Sequence, residues 1–306
     1  MSDPSDGHDG LRRSHVRHDI GSGELARESL LFMFQLPEHG LGVSVYTWVK
    51  GSGNAGYAIF FYGGRPDGST LLEHTDGIAV GDDVGFDRWK LGKLDLSLSP
   101  ASDTATISVT GSECAVEFTF EGRHAPYFYS SSPGGCPQFF ATDRVEQSGR
   151  VRGRLTCGDR VIDFDTQGHH DHSWGTRDWA GIQHYKWFEA TTPTAAVHVL
   201  DIAGFGEHHV AGYVLKDSEI AEVRRVSWDV DYGADFVHEK VRLTAVDALD
   251  RETVVDGTAF AKFPFPVDTH TTLLDSVLEV SIERESGGGF ADWCWPQVYL
   301  DHIRSR

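Results

Sequence analysis

Apolar and polar positions alternate in short runs along most of the chain, and turn residues separate the runs. Positions 41–49 set Leu41, Val43 and Val45 against Ser44, Tyr46 and Trp48. Gly51-Ser52-Gly53-Asn54 turns the chain into a further run over 56–62. Leu94, Leu96 and Leu98 alternate with Asp95 and Ser97. Runs over 104–110 and 114–120 read as a hairpin about Gly111-Ser112, with Cys114, Val116, Phe118 and Phe120 on one face. A period of two marks a half-buried strand. Similar runs occupy 29–36, 145–156, 160–165, 195–203, 209–215, 222–230, 239–247, 253–263, 271–283 and 290–303, and only 271–283 also suits a helix. About fifteen short strands in two groups predict an all-β chain built as two antiparallel barrels or sandwiches.

The segment 122–142 breaks this rhythm. It carries Pro126, Ser130 to Ser132, Pro133-Gly134-Gly135 and Pro137, interleaved with Tyr127, Phe128, Tyr129, Phe139 and Phe140. It is the predicted connection between domains. The expected division is a flexible arm over 1–22, a first barrel over 23–135 and a second over 136–306. The second would carry the histidine-rich stretch described below.

Composition narrows the function. The chain has 306 residues, enough for two domains. Lys and Arg number 27 against 46 Asp and Glu, a formal charge of −19, and no basic run occurs. A nucleic-acid or anionic-membrane partner is therefore not expected. No apolar stretch reaches the ~18 residues of a membrane helix, and positions 1–18 lack the apolar core of a secretory signal. Cys114, Cys136, Cys157 and Cys294 are scattered without a CxxC pair. They read as reduced, structural thiols, which points to a cytoplasmic protein. The 34 glycines and 11% aromatic residues agree with β structure.

One stretch is dense in groups that move protons. Positions 167–189 hold His169, His170, His172, His184, Asp171, Asp178, Glu189 and Arg177, with Trp174, Trp179 and Trp187. Extended, 168–174 puts His170, His172 and Trp174 on one face and His169, Asp171 and Ser173 on the other. The structural reading is a tryptophan-rich core whose polar groups tie down a turn. The functional reading is a site. His170 and His172 have a metal-like spacing, with His184, His198 or Glu189 as a third ligand, but HExxH and the cysteine patterns are absent and no metal is expected. Neither Gly-x-Ser-x-Gly nor a Walker sequence occurs, so hydrolase and nucleotide chemistry are unsupported. Proton transfer fits better. Asp171 beside His172, walled by Trp174 and Trp179, would keep its proton to higher pH. Asp201, in line with Val197 and Val199, is a second candidate acid. Arg177 and Asp178 read as an ion pair or a cap.

Glu146-Gln147-Ser148-Gly149-Arg150-Val151-Arg152-Gly153, followed by Gly168-His169-His170-Asp171-His172-Ser173-Trp174-Gly175-Thr176-Arg177-Asp178-Trp179, resembles the hydroxyneurosporene synthase/AttH-like superfamily. These are lipocalin-like proteins that include carotenoid 1,2-hydratases and are related to lipocalin-type Diels–Alderases. The resemblance implies two lipocalin-like β-barrels with an apolar pocket in or between them. It implies chemistry without a cofactor, in which an acid protonates an alkene and aromatic faces stabilise the cation. Carried over, the motif gives His172 and Trp174, and the acid falls at Asp201. Val199 and His198 stand where a hydroxylated aromatic is expected. The function so implied is a hydratase, dehydratase or cyclase of an unsaturated, isoprenoid-like small molecule. Asp171, His172 and Asp201 would be catalytic, and His170, Trp174, Trp179, Trp187 and Arg177 would line the substrate. A pericyclase or isomerase of the Diels–Alderase type, or a hydrophobic-ligand carrier, is the alternative.

Overall fold

A computed structural model of the chain describes residues 13–306. It is all-β, as the alternation predicts. The first sheet comprises β1 (Ala26–Leu36), β2 (Leu41–Lys50), β3 (Asn54–Tyr62), β4 (Leu71–Ala79), β5 (Trp89–Leu91), β6 (Leu94–Ser99), β7 (Thr104–Thr110), β8 (Cys114–Gly122), β9 (Tyr127–Phe128), β10 (Asp143–Cys157) and β11 (Arg160–Thr176). It runs in the order β4-β3-β2-β1-β11-β10-β8-β7-β6-β5, with β9 on β10, and curls into a nearly closed barrel. Then β12 (Ile182–Thr191), β13 (Ala196–Gly204), β14 (Glu207–Lys216), β15 (Glu219–Tyr232), β16 (His238–Asp247), β17 (Glu252–Pro266), β18 (Thr271–Ile282) and β19 (Glu285–Pro296) close a second barrel. The stretch that also suited a helix is strand β18.

Burial explains the pattern. On β6, β7 and β8 alternate residues are buried, because one face looks inward and the other meets water. Strands β2 and β3 are buried on both faces, because their outer face packs against the second barrel. Three apolar clusters result. Phe34, Ile59, Phe61 and Phe118 belong to the interior of the first sheet. Phe188, Val199, Leu243 and Trp293 fill the second barrel. Between them, Met33, Phe60 and Tyr62 of the first sheet meet Trp187, Leu200, Tyr213 and Phe290 of the second.

The sheets divide between Thr176 and Ile182, later than the 135/136 boundary expected from the sequence. Segment 122–142 does not lead out of the first sheet. Its β9 pairs with β10, and the histidine-rich stretch forms the end of β11, paired with β1 and β10. The polar turn signals there mark a fold-over, in which Tyr129 and Phe140 are buried. Residues 13–22, expected to be flexible, dock on the first sheet: Arg13 pairs with Asp143 at 3.2 Å, and Arg17 donates to the Val84 carbonyl at 2.9 Å. Residues 1–12 lie outside those described.

The expectation of four reduced thiols is also corrected. Cys114 and Cys157 face each other across β8 and β10 and form a disulfide, while Cys136 and Cys294 are free and buried. Sequence scatter hid a cross-strand neighbour pair. With two of the four cysteines in a disulfide, cysteine usage no longer points to a cytoplasmic location. No helix among the described residues is long and apolar enough to cross a membrane.

Candidate functional site

Strand β11 divides its side chains between two environments. His170, His172 and Trp174 face the inside of the first sheet. His170 stacks on Phe32 at 4.1 Å, His172 meets Phe86 edge-on at 5.5 Å, and Trp174 stacks on His18 at 3.7 Å. Asp171 and Ser173 face the second barrel, with His169. Gly175 ends the run at φ +110°, and a Cβ there would lie 2.1 Å from Thr142 Oγ1, so the motif requires glycine at this position.

A cavity of about 140 Å³ lies between the two sheets, over Asp171 and Ser173. Phe60, Phe140, Trp187 and Phe290 form walls, and half-buried Trp179, Phe265, Val267 and Leu273 surround its rim. Three polar groups break the apolar lining.

The first is an ion-paired cluster. Arg144 pairs with both Asp171 and Glu146. Glu146 also accepts from Trp187 Nε1 at 3.0 Å and contacts His169 at 2.7 Å. Burial alone would raise the Glu146 carboxyl, but His198, Arg144 and His169 hold it well below the usual carboxylate range. Burial pushes His198 down to about 3.

The second is a pair of carboxyls. Asp275 and Asp292 are register partners across β18 and β19, and both line the cavity. Tyr62 donates to Asp275 at 3.0 Å, and Tyr185 donates to Asp292 at 2.8 Å. Burial, and for Asp275 the negative charge of its neighbour, pushes both well above ordinary aspartates. Like charges this close cannot both ionise cheaply, so the pair retains a proton near neutrality.

The third is cationic. Arg177 is buried over Phe140 at 4.2 Å and Trp179 at 5.4 Å, and donates to Ser173 Oγ at 2.9 Å. Its Nε has no partner among the described residues, and burial lowers its pKa to about 10. Arg27 lies over Tyr46 and Trp48, and the two guanidiniums overcome burial to lower the Tyr46 phenol.

Asp171, Arg177, Trp179 and Trp187, singled out from the sequence, line this cavity. His170, His172 and Trp174 point away from it, because β11 presents its other face. Asp201 lies elsewhere, accepting from Trp228 Nε1 at 2.9 Å and contacting exposed His208 at 2.7 Å. Asp178 does not pair with Arg177. It caps the turn after β11, accepting from Ala180 N and Gly181 N. Asp275 and Asp292 were not identified from the sequence. Their only signal is an acid set beside apolar residues in each strand, Leu274-Asp275 and Ala291-Asp292-Trp293.

The supposed metal ligands separate. His184 stacks on Trp295 at 3.8 Å, and Glu189 accepts from Gln35 at 2.8 Å. Two other groups bring ligand atoms within 4.8 Å of one another: Glu146, His169 and His198, and His18, Glu28 and His172. In the first, the Arg144 guanidinium already occupies the place beside Glu146 and would repel a cation. In the second, Glu28 contacts His18 at 2.8 Å and His172 at 2.9 Å, which hydrogen bonds explain.

Solved structures share this architecture. CghA with Sch210972 superposes with a TM-score of 0.64 at 14% identity over 89% of each chain. CghA alone gives 0.64 at 15% identity, over 89% of this chain and 88% of that one. A candidate AttH protein from Nitrosomonas europaea gives 0.64 at 11% identity, over 92% of this chain and 93% of that one. These superpositions show a shared fold. No curated protein matches the sequence significantly. Residues 12–297 match the model of DUF7064, a domain of unknown function, and the chain belongs to that family.

Proposed function

We propose that this protein is a cofactor-independent enzyme that protonates an unsaturated lipophilic small molecule in the cavity between its two barrels. The observation that carries the reading is the Asp275–Asp292 pair, two carboxyls lining an aromatic cavity and holding a proton near neutrality. Such a group is a general acid poised at working pH. Asp171 is the carboxylate counter-ion of Arg144 in this reading, and Asp201 lies outside the cavity, so the acid role passes to the pair.

The steps follow from placement. The apolar walls take up the molecule and exclude water. Asp275 or Asp292 delivers its proton to one alkene carbon, and a carbocation forms at the other. The π faces of Trp179 and Trp187 stabilise that cation by about 1–2 kcal/mol each when desolvated. Attack by water gives hydration, attack by a second double bond gives a ring, and loss of a neighbouring proton gives an isomer. The carboxylate left behind regains the proton from water or from the cation. The resemblance of the 168–179 motif to carotenoid hydratases supports the same class.

A pericyclic ring closure without proton transfer is the second reading. The shared fold with CghA, solved with Sch210972, favours it. Turnover in deuterium oxide separates the two. Protonation places solvent deuterium on the product carbon, and Asp275→Asn or Asp292→Asn slows the reaction. Turnover without deuterium, unchanged in both variants, contradicts acid catalysis.

A further inference from the structure

Arg177 is a buried cation without a counter-ion. It is 9% exposed, and among the described residues no carboxylate oxygen lies within 4.0 Å of it. Its Nε is buried and unpartnered, and so is that of Arg27, which also lines the cavity. Burying a charge is costly unless something pairs with it. None of the carboxylates near the cavity pairs with it directly: Asp171 is taken by Arg144, Asp275 accepts from Tyr62 and Asp292 from Tyr185, and the Arg177 charge reaches Asp292 only from beyond ion-pair distance, lowering its pKa. The lining therefore holds Arg27, Tyr46 and Arg177 together with a carboxyl pair that retains one proton. Phe140 and Trp179 pack their rings 4.2 and 5.4 Å from the guanidinium carbon, and its nitrogens suit a planar anion.

We infer that the molecule taken up by the cavity carries an anionic head group, a carboxylate or an acidic enol, which docks on Arg177 and Arg27 beside Tyr46. This deepens the reading of the cavity as an acid-catalytic site and rests on it. A head group fixed at the guanidiniums keeps the unsaturated body in the cavity that Asp275 and Asp292 line. It also gives the guanidiniums a direct polar partner for the buried nitrogens that have none among the described residues. The substrate class is then an unsaturated lipophilic acid rather than a neutral hydrocarbon.

Calorimetric titration with two matched pairs tests this: farnesoate against farnesol, and cinnamate against cinnamyl alcohol. Each pair shares its unsaturated body and differs in the head. The carboxylate of at least one pair is expected to bind about tenfold or more tighter than its alcohol, as a charge-assisted hydrogen bond implies. The preference should vanish in Arg177→Met, shrink in Arg27→Met and survive in Arg177→Lys. The melting temperature of ligand-free Arg177→Met should not fall, because an unpaired buried charge is removed. Equal binding of acid and alcohol by the native protein overturns the head-group inference and leaves the cavity reading standing. Binding of none of the four overturns both. A preference retained in Arg177→Met, with a lowered melting temperature, assigns Arg177 to the fold and overturns the inference.

Discussion

Asp275 and Asp292 stand opposite each other across β18 and β19, each with a tyrosine hydroxyl on one oxygen and the aromatic cavity beside it. Sharing a proton makes the pair an acid. Replacing either by Asn should cost about 10²–10⁴ in rate. Rate measurements on variants whose folding is checked by circular dichroism test this; a loss below threefold in both contradicts it.

The same pair sets a pH dependence. Its folded-state pKa values lie above the unfolded value of 3.8, so folding takes up protons. The proton-bound form is fully present below that value. Stability should fall as pH rises toward about 7, the value reached by Asp292. Turnover should fall over the upper part of that window. Denaturant titrations across it should give a smaller slope for Asp275→Asn than for the native chain.

Glu146 should behave oppositely. Its folded-state pKa is depressed, so its stabilising effect is present above the unfolded value of 4.5 and is lost as pH falls below it. Glu146→Gln leaves buried Arg144 short of one carboxylate and should destabilise by about 3–5 kcal/mol, the range for breaking a buried ion pair. Chemical denaturation at neutral pH measures it.

The motif itself makes a discriminating case. Trp174 and His172 lie inside the first sheet, whereas Trp187 lines the cavity. Trp174→Ala should cost about 3–5 kcal/mol of stability yet preserve the affinity for a cavity ligand. Trp187→Ala should reduce both. Equal loss of affinity in the two variants contradicts the assignment of faces.

Cys114 and Cys157 close a loop of 43 residues. Loop entropy predicts a loss of up to about 4 kcal/mol on reduction. Thermal unfolding with and without a thiol reductant tests this, and an unchanged midpoint contradicts it.

Several of these relationships could be read from the chain itself. Alternation at 94–98 and 114–120 gave strands because one face there meets water. It was weaker at 271–283, where β18 is buried on nearly every residue and a strand looks like a helix. The two faces of 168–174 were legible too, with His170, His172 and Trp174 set apart from Asp171. Which face meets the cavity was not, because β1 and β10 pairing with β11 decides it. Asp275 and Asp292 are 17 positions apart in sequence, and only the β18–β19 register makes them a pair. Polar turn residues at 122–142 suggested a boundary, but their carbonyls and side chains serve a fold-over within one sheet.

The measurement closest to the central claim needs no substrate. Infrared difference spectroscopy between neutral and alkaline pH reports buried carboxyls that lose a proton. Glu189, pushed up to about 8 by burial, contributes its own band, so the comparison is made in a Glu189→Gln background. In that background the account predicts a protonated-carboxyl band at neutral pH that disappears as the pH is raised. It predicts that the pH-dependent band is absent from the Asp275→Asn/Asp292→Asn variant. No such band in the Glu189→Gln protein, or an unchanged band in the variant lacking both aspartates, contradicts the account.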